Sequence, residues 1–230
     1  MNLNELESDF LRHIVASGYK PGDRIPALGE LSETMGISVN KLREQMEVAR
    51  SLGIVGVRPR TGIKLEEFDF LPAVRFSLLF ALALDPDYFQ TFGALRKNVE
   101  ASFWLEAVKL LTKEDKRYLQ ELMRAAWAKL NAPQIQIPHA EHRELHLAIF
   151  RRLGNPFVKG ILEAYWEAYE AIELNLFSDY QYLREVWTYH QRIVDCIVES
   201  KYDEGYELLI EHTHLLRHRE AEHDTLEVAR

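Results

Sequence analysis

One β-hairpin signal stands in a chain that otherwise reads as helices, and it constrains the fold more than any other feature. Ile54 to Arg58 and Gly62 to Leu65 are two short runs about a Pro59-Arg60-Thr61-Gly62 turn. Three helical segments precede it. Leu3, Leu6, Phe10 and Ile14 recur at helical spacing and predict a first helix ending near Gly18. A turn from Lys20 to Pro26 leads to a second helix from about Leu28 to Met35, broken by Gly36. Ser38 is placed to cap a third, which runs to about Leu52 and stops at Gly53. Val39, Leu42, Met46 and Ala49 form its inward stripe. Helix, helix, turn, helix, hairpin is the order of a winged helix.

From Phe70 onward the period is helical and no strand pattern recurs. Asp85-Pro86 ends one helix, and Thr112 with Asp115 reads as an N-terminal capping box. Pro133 and Pro138 bracket a loop, Leu153-Gly154-Asn155-Pro156 ends another helix, and Ser178 caps a late one. Six or seven helices over roughly 150 residues make a bundle. The expected fold is therefore mainly α. An N-terminal winged helix-turn-helix with a small β-hairpin wing spans residues 1–67, and a C-terminal all-α helical bundle spans 70–222. The charged tail, 223–230, is expected to fray.

Composition narrows the setting. A hydrophobic fraction of 47% supports a real core. The single cysteine, Cys196, excludes an intrachain disulfide and a cysteine metal cage, which fits a reducing cytoplasm. The acidic N-terminus lacks the apolar run of a signal peptide, and the longest greasy stretch, Phe76 to Leu84, is too short to span a bilayer. A soluble, cytoplasmic protein with no membrane partner is expected. The net charge of -8 counts against nucleic acid as a partner, but its distribution is uneven. Through Leu65 the balance is +1 and beyond it -9, which suggests two different jobs.

The third helix presents Asn40, Lys41, Arg43 and Gln45 away from its apolar stripe, as a helix entering a major groove does. Arg24, Arg58, Arg60 and Lys64 are placed to meet phosphates. The plain alternative is a set of solvated charges on a small helical domain. The segment from Ile14 to Leu65 also resembles the N-terminal domain of the GntR regulator family. Pro21-Gly22, Arg24, Pro26, Glu30-Leu31, Gly36, Ser38, Leu42-Arg43-Glu44, Leu52-Gly53-Ile54 and Gly62 stand in the family's order and spacing. That resemblance implies a double-stranded DNA operator. The chain departs from the family at Gly29 and Val39, where members carry arginine. Arg43 is the one remaining of three basic positions that touch DNA.

The second half, Phe70 to Leu216, resembles the FadR-type ligand-binding domain of the same family, the FCD domain. The matching segments are Leu95 to Asp115, His142 to Pro156, His190 to Ile197 and a closing helix through His212. Such domains often bind a divalent metal through one aspartate and three histidines. The resemblance assigns the ligands to His142, at the aspartate position, with His146, His190 and His212. Periodicity independently turns these four inward: His142 and His146 beside Leu145 and Ile149, His190 on the stripe of Val186, Ile193 and Ile197, His212 with Leu208, Leu209, Leu215 and Leu216. His214 and His218 share a polar face with Glu211, and His13, His139 and His223 fall near helix starts or among polar residues. Any one inward histidine is more often a core residue than a ligand. Imidazoles suit zinc, nickel, copper or iron rather than magnesium or calcium, with zinc or nickel leading.

Arg96 and Glu100 match the family's arginine and glutamate, and the resemblance puts Arg96 near the ligand cavity. A guanidinium there can hold a carboxylate in two parallel bonds, and an ordinary ion pair with Glu100 is the alternative. Tyr165, Trp166 and Tyr169 read as core packing. The expected protein is a dimeric, metabolite-responsive transcription regulator that binds a divalent metal and a small carboxylate effector. Two other readings stand beside it: a metal- or ligand-binding protein whose DNA-binding domain is degenerate, and a metal-dependent enzyme. Against an enzyme, the chain lacks a nucleophile elbow, a phosphate loop and a carboxylate pair beside the histidines.

Overall fold

The computed structural model describes residues 3–172 and 180–212. Ser178, His214, Leu215, Leu216, His218, His223 and the 223–230 tail lie outside the described residues. The chain divides into two compact units, Met1–Phe80 and Ala81–Arg230.

In the first unit, α1 spans Asp9–Ala16 and starts where Ser8, in extended conformation, accepts a hydrogen bond from the Leu11 N–H. Leu3–Glu5 form only a 3-10 turn, so the helix is shorter than the Leu3-to-Gly18 pattern predicts. The Ser8 cap interrupts the apolar spacing that Leu3 and Leu6 share with Phe10 and Ile14. Helix α2 covers Leu28–Met35 and closes on Gly36, whose φ of 68° is a left-handed turn. Helix α3 covers Val39–Ser51, and Ser38 caps it by accepting from the Lys41 N–H. Strands β2, Val55–Arg58, and β3, Gly62–Leu65, form the expected wing.

A third strand, β1, is only Arg24–Ile25. It pairs antiparallel with β3, Arg24 opposite Lys64 and Ile25 opposite Ile63, giving the order β1-β3-β2. The sequence pattern reads this stretch as a turn because two residues are too short to alternate, and the pairing is made from far along the chain. Phe10, Ile25, Leu31, Leu42, Ala49, Val55 and Ile63 are buried together and hold the three helices on the sheet. Gly53, at φ 72°, ends the turn after α3, and a β-carbon there would sit 2.7 Å from Cγ of Pro72. Close approach and backbone conformation both require glycine at this position.

Helix α4 is Leu71–Leu84, α5 Tyr88–Leu110, α6 Lys113–Leu130, α7 His139–Phe150, α8 Pro156–Ala171 and α9 Tyr180–Glu199. A last helical run covers residues 202–212. The described residues beyond Phe70 thus hold seven helical segments and no strand. The capping box is formed as expected: Thr112 accepts from the Asp115 N–H while the Asp115 carboxylate accepts from the Thr112 N–H. Asn155-Pro156 starts α8 rather than ending α7; the Asn155 side chain accepts from the N–H groups of Phe157 and Val158.

In the second unit α6 packs on α7 and α9, and α5 packs on α7 and α8. The core is built from Trp104, Leu119, Met123, Leu130, Leu145, Ile149, Leu162, Trp187, Ile193 and Ile197, all nearly fully buried. The indole N–H of Trp104 donates to the Tyr202 carbonyl at 2.9 Å and ties α5 to the last helical run. Among the described residues no helix is long and apolar enough to cross a membrane.

Candidate metal centre and nucleic-acid interface

Three helical elements carry the four histidines: α7 brings His142 and His146, α9 brings His190, and the run 202–212 brings His212. Spacing of four residues puts the first two on one face of α7, whose buried side includes Leu145 and Ile149. Potential ligand atoms of all four lie within 4.8 Å of one another. His146, His190 and His212 are 1–2% exposed, and His142 is half-buried. Nε2 of His146 lies 3.3 Å from Nε2 of His190, which lies 3.0 Å from Nε2 of His212. Trp166 and Trp187 wall the cluster edge-on, their rings 4.7 Å from His142 and 5.0 Å from His190.

The donor set fits a metal ion. Two nitrogens held tetrahedrally at roughly 2.0–2.1 Å from one zinc stand about 3.3 Å apart. Three Nε2 atoms crowded at that spacing are difficult to satisfy by protons alone, because each contact needs one donor and one acceptor and His190 sits in both. Nδ1 of His190 and Nδ1 of His212 are buried without a hydrogen-bond partner, so no strong acceptor or donor fixes those rings from behind. Burial, and then neighbouring positive groups, hold His142, His146 and His190 well below the usual histidine range. His212 is lowered in the same way, to about 3. All four imidazoles are therefore neutral near pH 7, the form that ligates.

Arg96 and Glu100 come from one face of α5 and are 4% and 0% exposed. Nη2 of Arg96 lies 2.9 Å from Oε1 of Glu100 and 2.7 Å from Nδ1 of His146. The guanidinium is stacked over Tyr165 and Trp166, its Cζ 4.7 and 5.5 Å from the ring centres. Burial pushes the Glu100 carboxyl up, against the pull of Arg96. Arg96 is thus committed to Glu100 and His146 through one nitrogen, while its buried Nε has no partner, and neither has Nε1 of Trp166. Both residues line a cavity of about 30 Å3 beside His142 and His212. Tyr165, Trp166 and Tyr169 line it too, so the aromatic run expected to be core packing borders the candidate site. His139, set aside on sequence grounds, lines it as well. Its position three residues before His142 on α7 was the available signal.

In the first unit, Asn40 and Arg43 stand exposed on α3, with Nη1 of Arg43 donating to Oδ1 of Asn40 at 3.3 Å. Lys41 and Gln45 turn toward α1. Nζ of Lys41 is 2.7 Å from Oδ2 of Asp9. Gln45 accepts from the Phe10 N–H at 2.9 Å and donates to Asp9. Gln45 is half-buried and braces the start of α1, a role that the helical period of α3 alone did not reveal. Register places Arg24, Arg58 and Lys64 on the solvent face of the three-stranded sheet, opposite the face that buries Ile25 and Ile63. Arg60 is at the wing tip, exposed, with φ 68°. A β-carbon at Gly29 would meet nothing within 4 Å, so the missing arginine is not excluded by space.

A winged helix with a basic wing face, joined to a helical bundle around an inward histidine cluster, defines a one-component DNA-binding regulator. The chain matches the family model of bacterial regulatory proteins, gntR family, over residues 4–65 and that of the FCD domain over residues 92–215. It belongs to the GntR family, FCD type, and is a DNA-binding transcription regulator of that family rather than an enzyme. It is 24% identical over 206 residues to an uncharacterized HTH-type transcriptional regulator, YcbG, of Bacillus subtilis strain 168, covering 89% of this chain and 84% of that protein. A solved GntR protein of Streptococcus agalactiae shares the fold at a TM-score of 0.62 and 18% identity, covering 94% of this chain and 97% of its own. McbR/YncC of E. coli aligns at 20% identity and a TM-score of 0.46, over 95% and 99% of the two chains.

Proposed function

We propose that the chain is a metal-loaded, metabolite-responsive regulator that binds a near-palindromic operator as a cytoplasmic homodimer. The observation that carries the metal is the crowding of three buried Nε2 atoms at 3.0 and 3.3 Å, with His142 beside them. His142, His146, His190 and His212 would hold a divalent transition ion, zinc or nickel before others. Bound there, the ion supplies Lewis acidity toward an anionic ligand.

The effector is a small carboxylate. Four neutral imidazoles leave the charge of a divalent ion uncompensated within the ligand set, which favours an anionic partner. The cavity beside the cluster supports the reading, because it is lined by Arg96 and Trp166, each of which has a buried N–H donor without a partner. Its 30 Å3 admits one or two water-sized groups, so the effector has few heavy atoms or displaces an aromatic side chain. Occupancy that shifts α7 or α9 changes the spacing of the two recognition helices in the dimer. On the DNA side, Arg43 and Asn40 read base edges, Arg24, Arg58, Arg60 and Lys64 meet phosphates, and Lys41 and Gln45, expected to face the groove, instead hold α3 on α1.

Metal analysis of protein purified without a histidine tag is expected to give one divalent transition ion per chain, with thermal stabilisation by zinc or nickel. His146→Ala is expected to lose both the ion and the effector response while keeping the fold. Metal-free protein that zinc and nickel fail to stabilise defeats this reading. Gly29 and Val39 motivate one rival, a metal- or ligand-binding protein whose winged helix no longer binds DNA. A salt-dependent shift assay on the gene's upstream DNA separates them, since binding that falls with salt supports the regulator and none at any salt supports the rival.

A further inference from the structure

His146 can carry its proton on either ring nitrogen, and the two tautomers have opposite consequences for the cluster. With the proton on Nε2, no lone pair faces His190, and the bare Nδ1 accepts from Nη2 of Arg96 at 2.7 Å. With the proton on Nδ1, the Nε2 lone pair faces His190 Nε2 at 3.3 Å, and Nδ1–H needs an acceptor. Arg96 cannot be that acceptor, because a guanidinium only donates. Oε1 of Glu100, 3.3 Å from Nδ1, is the acceptor within reach, and a small turn of either side chain directs the N–H at it.

Glu100 comes from α5, a different helix from any that carries the histidines. It is 0% exposed, and neither of its carboxylate oxygens has a hydrogen bond. Arg96 Nη2 stands 2.9 Å from Oε1, off the direction of a good bond. A buried carboxylate with open acceptor capacity is costly unless a donor is supplied. The nearby donor that ligation would create is His146 Nδ1–H.

We infer that Glu100 is a positioning residue of the metal centre: its Oε1 receives the Nδ1–H of His146 and selects the tautomer that leaves Nε2 free to ligate. This rests on the metal reading above. An imidazole that binds a metal through one nitrogen regularly donates the other N–H to a carboxylate, and loss of that partner weakens metal binding by about 10–100-fold. Ligation and the Arg96 contact to Nδ1 are mutually exclusive, so with His146 in this tautomer the Arg96 N–H groups turn to Glu100 and to the cavity.

Two measurements test it. In zinc-loaded, unaltered protein, nitrogen-15 spectra of the histidine rings are expected to show His146 protonated at Nδ1. A proton on Nε2 of His146 overturns the inference. Zinc affinity is then measured by competition with a chromogenic chelator. Arg96→Met/Glu100→Met removes the buried pair together, which spares the fold a lone buried charge. It is expected to bind zinc about 10–100-fold more weakly than Arg96→Met alone. Without zinc the double variant is expected to melt no lower than Arg96→Met. Equal zinc affinities, or a lower melting temperature without zinc, mean that Glu100 acts only on the fold. If the unaltered protein binds no zinc, the metal reading itself fails, which these outcomes do not mimic.

Discussion

Arg43 and Gly29 bracket the DNA affinity of α2 and α3. Arg43 is exposed and steadied by Asn40, so its guanidinium is presented with little else to hold it back. Arg43→Ala is expected to cost about 1–3 kcal/mol of operator binding if it reads a base edge. An unchanged dissociation constant in a titration would mean that α3 is not the reading helix. Gly29 offers the complementary test, because an added side chain there meets open space. Gly29→Arg is expected to tighten DNA binding and to steepen the plot of log affinity against log salt by about one unit, as one more phosphate contact does. A slope that does not change would place Gly29 away from the DNA.

At the scale of the element, α7 is the helix to watch, because it carries two of the four histidines. Its far end is held by Asp115, which serves two masters. The Asp115 carboxylate closes the capping box of α6 through the N–H and hydroxyl of Thr112, at 2.9 and 2.8 Å. It also accepts from Nε and Nη2 of Arg152, just past α7, at 2.8 and 3.1 Å. Arg152 and the Thr112 donors hold the Asp115 carboxyl well below its ordinary 3.8, so it stays ionised in the folded chain. A lowered folded pKa gives stability that is complete above the ordinary value and is lost as pH falls below it. Asp115→Ala is expected to destabilise by about 1–2 kcal/mol at pH 7, and the gap from the parent should narrow by pH 3. Urea midpoints at the two pH values decide it; an equal gap at both would show that the charge contributes nothing.

At the scale of the whole molecule, the winged helix presents a single recognition helix whose first half carries one exposed arginine, Arg43, too little to hold an operator as a single copy. Two copies on a twofold site supply the rest. Sedimentation at micromolar concentration is expected to give a dimer, and a monomer there would defeat the operator model.

Local chemistry wrote much of this protein into its sequence. Ser38, Gly36, Gly53 and the Thr112-Asp115 pair set helix ends through hydrogen bonds within a few residues, so they could be read without the fold. The Pro59-to-Gly62 turn fixed the wing for the same reason, and the helical period turned His142, His146, His190 and His212 inward. Whether they meet was not legible, because the four belong to three helical elements whose packing brings their nitrogens together. The same holds for β1, two residues defined only by their partner strand, and for Gln45, whose amide is taken by the start of α1. Glu100 shows the limit most clearly. In the sequence it is an acidic residue four places from an arginine on a helix, and only the packing of α5 against α7 puts its carboxylate behind a histidine.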